Sequence, residues 1–339
     1  MMTPPDRRRL MDQANEAKIA ERIGIHPPSN PMKIVFYAAK NPQPWRDAIA
    51  AALPDAEVWL WTPEGDGRQA DYAIVWMPPA ELFASQRGLK AVFNIGAGVD
   101  GVMALPNLPR DVPLVRLNDA GMASQMAEYV CHALIRHTRE FDFYAAQAKE
   151  HRWKMRRPVS RAEFPVGVMG LGSIGGRVAQ AVASFGYPTF GWSRSPKSLR
   201  GVTAFSGQER FEDFLCTVRV LVCMLPLTPE TEGILNRFTL SKLKPKGYLI
   251  NVARGRHLME EDLLALLDDG TLAGATLDVV RREPLPADHP FWTHPKITLT
   301  PHMSAIVLRE ESVAQIARKI RMLERGEAID GTVDFKRGY

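Results

Sequence analysis

Val166-Gly167-Val168-Met169-Gly170-Leu171-Gly172-Ser173-Ile174-Gly175 is the stretch on which the fold turns. Val166 to Met169 has the short apolar character of a buried strand, and residues 174–185 continue as a helix. Between them lies a Gly-x-Gly-x-x-Gly turn, and each glycine answers a different demand. Gly170 permits the tight turn, Gly172 lets backbone approach a pyrophosphate, and Gly175 lets the helix pack close to the strand. Ser173 and Ile174 open the helix, whose unpaired N–H groups and positive dipole end favour phosphate. Alone such a pattern is weak. Set between a strand and a helix, it predicts a dinucleotide-binding βα unit.

The same alternation extends outward in both directions. Downstream, residues 187–192, 219–224, 247–252, 274–279 and 297–300 read as strands. Upstream, residues 32–37, 56–61, 71–76, 89–95 and 112–117 do so too, with a helix over 45–53. Residues 121–149 predict one long helix, with Met126, Val130, Ala133, Leu134 and Ile135 as its apolar stripe. Residues 306–325 predict a helix that returns to the first unit. The expected fold is α/β: two Rossmann-like doubly wound domains with parallel sheets and a cleft between them. The cofactor domain, 121–299, is inserted into a substrate domain made of 32–120 and 300–339. Residues 1–31, ending in Pro27-Pro28-Ser29-Asn30-Pro31, read as a flexible N-terminal extension.

Composition narrows the function. A length of 339 residues accommodates two cores. No run of about eighteen apolar residues exists, so no membrane span is expected. The net charge of +5 lacks the clustered Lys/Arg with interleaved aromatics of a nucleic-acid groove, and suits an anionic ligand instead. Cys131, Cys216 and Cys223 are too few and too widely spaced for a disulfide framework or zinc site. They read as buried thiols of a cytoplasmic protein. His289 and His294 have metal-like spacing but no third ligand, so no metal is expected.

The choice of dinucleotide falls about 20 residues past the glycine turn, at the end of the next strand, where an NAD site places Asp or Glu. Here the chain has Ser193-Arg194-Ser195-Pro196-Lys197 and no carboxylate. Ser193 has a hydroxyl to donate, and Arg194 with Lys197 can pair with a 2′-phosphate. Such charge-assisted bonds contribute roughly 1.5–3 kcal/mol each. NADP(H) is therefore expected ahead of NAD(H).

Three residues at the ends of later strands supply the chemistry. Arg254, in Asn251-Val252-Ala253-Arg254-Gly255, follows a buried strand and is aimed at the cleft. Its guanidinium can grip a carboxylate or a carbonyl oxygen as negative charge develops. His302 and Glu283 also follow strands. A carboxylate beside an imidazole fixes the tautomer and favours the protonated ring, as a general acid/base requires. The other histidines, His132, His137, His151, His289 and His294, read as structural. A second glycine turn, Asn94-Ile95-Gly96-Ala97-Gly98-Val99-Asp100, leaves backbone N–H groups open as an anion nest opposite Arg254. The set fits a small 2-oxo acid reduced by hydride, with the carboxylate on the nest.

With these motifs in place, the chain resembles the D-2-hydroxyacid dehydrogenase family, and within it the glyoxylate/hydroxypyruvate reductase A branch. The likeness runs from Met32 to Tyr339 and includes residues 91–100, Gly121-Met122, the 170–175 turn and Trp192-Ser193-Arg194. It also includes Leu225-Pro226, residues 251–255, Leu277-Asp278-Val279, residues 282–286 and Thr300-Pro301-His302. The resemblance implies Arg254 as substrate-orienting residue, Glu283 as histidine partner and His302 as acid/base. It further implies Ile95 to Gly98 at the substrate carboxylate, and Leu225, Pro226, Val252, Ala253 and Asp278 along the cofactor. Ser173 stands where that branch often has an apolar residue. Trp45 is expected near the cleft mouth, where it would narrow access. A homodimer through the cofactor domain is implied by the same likeness. Two other readings stay open: a reductase of bulkier 2-oxo acids such as phenylpyruvate, and a non-catalytic nucleotide-sensing protein.

Overall fold

The computed structural model describes residues 31–65 and 67–339. The extension read over 1–31 thus lies outside the described residues, save for Pro31. Strands β1 (Met32–Ala38), β2 (Ala56–Leu60), β3 (Tyr72–Trp76), β4 (Ala91–Asn94) and β5 (Leu114–Arg116) form one parallel sheet in the order β2-β1-β3-β4-β5. The second, also parallel, holds β6 (Val166–Met169), β7 (Thr189–Ser193), β8 (Thr203–Ser206), β9 (Val220–Cys223), β10 (Gly247–Asn251), β11 (Leu272–Leu277) and β12 (Ile297–Leu299). Its order is β12-β11-β10-β9-β6-β7-β8. The strand sequence reverses between β6 and β9, which opens a crevice at their carboxyl ends. Every residue of β6, β9 and β10 is buried, because apolar clusters cover both faces. Strand β8 escapes sequence reading: it is an edge strand, partly exposed, with Phe205 alone packing inward.

Helices of more than two turns are α1 (Gln43–Ala52), α2 (Met122–Thr138), α3 (Phe141–Lys149), α4 (Ser173–Ser184), α5 (Glu260–Asp268) and α6 (Arg309–Glu324). The single helix expected over 121–149 is in fact two. Glu140 turns left-handed at φ 53°, with no Gly or Pro to announce it. An Arg136–Asp142 ion pair (2.7 Å) straddles the break, and Glu140 itself pairs with Arg156. Helix α2 buries Met126, Val130 and Leu134 against Val166, Val178 and Val182 of the second unit. Helix α6 buries Val313, Ile316 and Ile320 against Ile34, Phe36 and Ile49 of the first. The second sheet is therefore built from a segment that interrupts the first unit.

The two crossings are bonded to each other. The Leu308 N–H donates to the Ala120 carbonyl (3.0 Å), and the Gln125 amide spans the Gly121 and Ile306 carbonyls. Gly121 has φ +79°, and a methyl there would run into Leu308. Lys319 of α6 is fully buried, its ammonium donating to the Arg116 and Asp330 carbonyls beside the Asp330 carboxylate (3.3 Å). A buried cation needs such partners. Cys131 and Cys223 are buried as expected, but Cys216 is exposed. It sits on the short helix Phe211–Thr217, which turns Phe214 and Leu215 inward instead.

His137 is structural, as read. Its ring stacks on Tyr248 (3.9 Å between centroids) and meets Phe164 edge-on, and burial pulls its pKa down to about 4. Among the described residues its Nε2 has no hydrogen-bond partner. The unfolded chain protonates this ring near 6.5 while the folded one resists until about 4. Stability from this site is therefore complete above 6.5 and drains away as pH falls toward 4. His137→Phe keeps the stack and removes the proton site. Between pH 7 and pH 5 the wild type should lose on the order of 1–2 kcal/mol more than the variant, read from urea midpoints. Equal losses would sink this account.

Candidate active site

The glycine turn at the end of β6 is built as its sequence demands. Gly170 has φ +100°, and a methyl there would come within 2.7 Å of the Met224 carbonyl. A methyl at Gly175 would overlap the Gly170 carbonyl, so α4 packs directly on the turn. Beyond Gly172 there is open space. That opening, at the start of α4, fits a pyrophosphate. The Ser173 hydroxyl donates to the Asn118 carbonyl (2.8 Å) and ties the turn to the crossing segment, while Ile174 packs into the core below.

A cavity of about 510 Å³ runs beside the turn, lined by Gly172, Ser173, Arg177 and Lys197. At the end of β7 the Ser193 hydroxyl donates to the Ser195 carbonyl (2.8 Å), so its proton closes the turn where a phosphate bond was expected. Arg194, Ser195 and Lys197 are exposed. No carboxylate follows β7 in the 194–198 loop. Glu230, on a neighbouring loop, lies within electrostatic reach of Arg194. Its carboxyl is held below the usual range by the Thr228 hydroxyl first and by Arg194 last.

Arg254 follows β10, and its guanidinium crosses to the first unit. Its Nε donates to both Asp100 oxygens (3.1 and 3.3 Å) and its Nη1 to the Ala253 carbonyl (2.7 Å). The remaining Nη2 lies so close to Gly98 that a methyl there would overlap it. Beneath, His257 is wholly buried, and burial lowers its pKa, which keeps the ring neutral. The neutral ring accepts from the Arg254 N–H at Nδ1 (3.2 Å), and its Nε2 donates to the Pro226 carbonyl (3.2 Å). One imidazole thus fixes the arginine against the Leu225-Pro226 loop. Val252 and Ala253 are buried between the two apolar faces.

His302 and Glu283 meet as the sequence implied. Nδ1 of His302 is 2.8 Å from Glu283 Oε2, and both side chains remain partly exposed. The other Glu283 oxygen accepts from the Val280 N–H (3.2 Å). Asp278, buried at the end of β11, organises the histidine loop. Its carboxylate accepts from the Thr300 hydroxyl and the Met303 and Ser304 N–H groups, and its carbonyl from the His302 N–H (2.8 Å). Tyr129 of α2 extends this chain through Thr300 (2.5 Å). The Arg254 and Glu283 loops touch, because Gly255 packs on the Val280 carbonyl with no room for a side chain. Strands β10, β11 and β12 are neighbours, so all three groups lie at one sheet end.

The second glycine turn follows β4. Among the described residues, the N–H groups of Gly96, Ala97 and Gly98 have no hydrogen-bond partner. The Asn94 side-chain amide braces the turn by donating to the Gly98 carbonyl (2.9 Å), and Ile95 is buried below. Trp45 is half-buried, with its ring stacked toward Phe36 (6.4 Å) on the first core. The aromatic over this turn is Trp76, whose indole covers Gly96. Sequence reading missed Trp76, Asp100 and His257. Trp76 ends β3 on the same edge as Gly96, so the strand-end rule applied to Arg254 would have found it. His289 and His294 pair separately, with Glu260 (3.4 Å) and Asp268 (3.4 Å) of α5. Among the described residues no three metal-ligating side chains gather.

A doubly wound unit with a glycine-rich βα turn, facing a second glycine turn with open N–H groups, with arginine and a carboxylate-backed histidine between, defines a pyridine-nucleotide oxidoreductase of small acids. Residues 131–304 match the NAD-binding domain of the D-isomer specific 2-hydroxyacid dehydrogenases, and the chain belongs to that family. It is 45% identical over 314 residues to glyoxylate/hydroxypyruvate reductase A of Photorhabdus laumondii, covering 91% of this chain and all of that one. With the same-named protein of Serratia proteamaculans it shares 46% over the same length and coverage. Among solved structures, a family member from Xanthobacter autotrophicus Py2, in complex with NADPH and MES, superposes with a TM-score of 0.87 at 41% identity. The NADPH-dependent glyoxylate/hydroxypyruvate reductase of Sinorhizobium meliloti, with NADP and sulfate, gives 0.86 at 36%. Each covers 91% of this chain and is itself covered in full.

Proposed function

We propose that this chain reduces short 2-oxo acids with NADPH, glyoxylate to glycolate and hydroxypyruvate to D-glycerate. The observation that carries this is the Nη2 of Arg254 set against Gly98, beside three unpartnered N–H groups. That is a carboxylate seat with a cation at its rim. Bound NADPH supplies the hydride that reaches C2 of the acid. Gly96, Ala97 and Gly98 hold the carboxylate, and Arg254 steadies the carbonyl oxygen as charge builds there. His302 donates its proton to that oxygen, with Glu283 stabilising the imidazolium beforehand. The turn shaped by Gly170 and Gly175 holds the cofactor's pyrophosphate at the open Gly172, and Arg194 with Lys197 its 2′-phosphate. Trp76 over the seat supports the small substrate size.

Because His302 must start protonated, reduction is expected to slow as pH rises while oxidation of the hydroxy acid gains. The test is NADPH consumption over a panel of keto acids, glyoxylate, hydroxypyruvate, pyruvate and phenylpyruvate, each across pH. Turnover of phenylpyruvate above glyoxylate would favour the bulkier class. No turnover of any acid despite NADPH binding would leave only a nucleotide sensor.

The three unpaired cysteines support a cytoplasmic protein. The 150–163 segment exposes Trp153, Met155 and Val159, with Phe141 nearby in sequence also exposed. Large apolar side chains in water mark a contact surface, here that of a homodimer. Sedimentation of wild type and a Trp153→Ser, Met155→Ser variant checks it: the variant should become monomeric, and a monomeric wild type refutes it.

A further inference from the structure

The segment after α6 runs from one unit to the other. It begins on the first sheet: Thr332 bridges Val115, and the Val333 N–H donates to the Leu114 carbonyl (2.8 Å). Val333 is buried there and Phe335 packs beside it. A turn closed on Asp334 follows, its carbonyl accepting from the Arg337 and Gly338 N–H groups. The chain then reaches the second unit. Gly338, at φ +84°, lies against Thr228, where a methyl would stand 3.2 Å from Cγ2. Tyr339 is half-buried, and the Arg194 guanidinium lies over its ring at 5.1 Å.

Arg194 is the residue assigned above to the 2′-phosphate, and among the described residues its one ring contact comes from the far side of the cleft. A guanidinium free in solvent samples many rotamers, and a phosphate must order it on binding. Laid on an aromatic face, it keeps its charge and its N–H edge while losing that freedom beforehand. We propose that Tyr339 is a positioning residue for NADP(H) selectivity, holding Arg194 oriented for the 2′-phosphate from the substrate-side unit. The segment after α6 then senses the phosphate that tells one dinucleotide from the other. This rests on the reading of Arg194 under the proposed function.

The test compares Tyr339→Ala, Tyr339→Leu, Tyr339→Phe and Arg194→Ala by titrating NADPH and NADH against intrinsic fluorescence. Tyr339→Ala and Tyr339→Leu should weaken NADPH about three-fold and leave NADH unchanged. Tyr339→Phe keeps the ring and should match the wild type. If Leu and Ala shift both nucleotides alike, or neither, Tyr339 only packs the two units together and the proposal fails. Should Tyr339→Ala not fold, the Leu and Phe pair decides on the same criterion. Arg194→Ala should lose about ten-fold or more for NADPH alone. If it does not, the phosphate reading itself is wrong, a failure distinct from an effect of Arg194 without one of Tyr339.

Discussion

Replacing His302 with alanine is expected to lower kcat for glyoxylate reduction by about a hundred- to ten-thousand-fold, with NADPH affinity unchanged. The imidazole sits outside the glycine turn, so removing it takes away the proton donor and leaves the nucleotide seat intact. Its position does not depend on the ring. The loop is held by the His302 N–H on the Asp278 carbonyl and by Met303 and Ser304 on the Asp278 carboxylate. The alanine variant should therefore fold as the parent does. Glu283→Gln should lose less, since the amide can still accept from Nδ1 but no longer stabilises the imidazolium. Stopped-flow turnover with an NADPH titration checks both. A kcat within ten-fold of wild type, or equal losses of turnover and NADPH affinity, would show that the histidine is not the acid.

The second large effect is expected from one methyl group. Gly98→Ala would place a carbon on the Arg254 Nη2. Gly98 does not have positive φ, so its backbone tolerates alanine and the substitution acts through the guanidinium. The arginine cannot retreat, because Asp100 holds Nε, Ala253 holds Nη1, and His257 fixes its backbone. Either the ion pair breaks or the nest shifts. In both cases the keto acid loses a charged donor at the developing oxyanion, about a hundred- to thousand-fold in kcat/KM. NADPH affinity should hold, since the nest is in the other unit. Asp100→Asn should reproduce part of the loss by loosening the same guanidinium, and Asp100→Glu should not restore it, because a longer side chain cannot place both oxygens on Nε. A Gly98→Ala enzyme within a few-fold of wild type would mean that Arg254 works from another position.

Much of this is legible in the sequence. Period and composition placed β1 to β7 and β9 to β12, because their apolar and β-branched runs stand out between polar turns, most plainly in β6, β9 and β10, which are buried along their whole length. The break at Glu140 was not, since a left-handed residue stabilised by ion pairs leaves no Gly or Pro behind. Strand β8 was missed because an edge needs only one inward side chain. The glycine turn was legible because each glycine is required by local backbone geometry, and Gly170 and Gly175 show the close approaches that require it. Arg254, Glu283 and His302 followed from one topological rule, that function gathers where parallel strands end.

Sequence alone therefore determined the class of fold and the glycine turn, because each is written in short local patterns, and it brought Arg254, Glu283 and His302 forward as candidates because each stands just past a strand. Tertiary structure decided who holds them. Asp100 is 154 residues from the arginine it pairs with, Trp76 covers a glycine in the turn after the neighbouring strand, and Tyr339 reaches Arg194 from the opposite unit. Contacts between residues so far apart along the chain exist only once both sheets have formed and faced each other, and no local pattern encodes them.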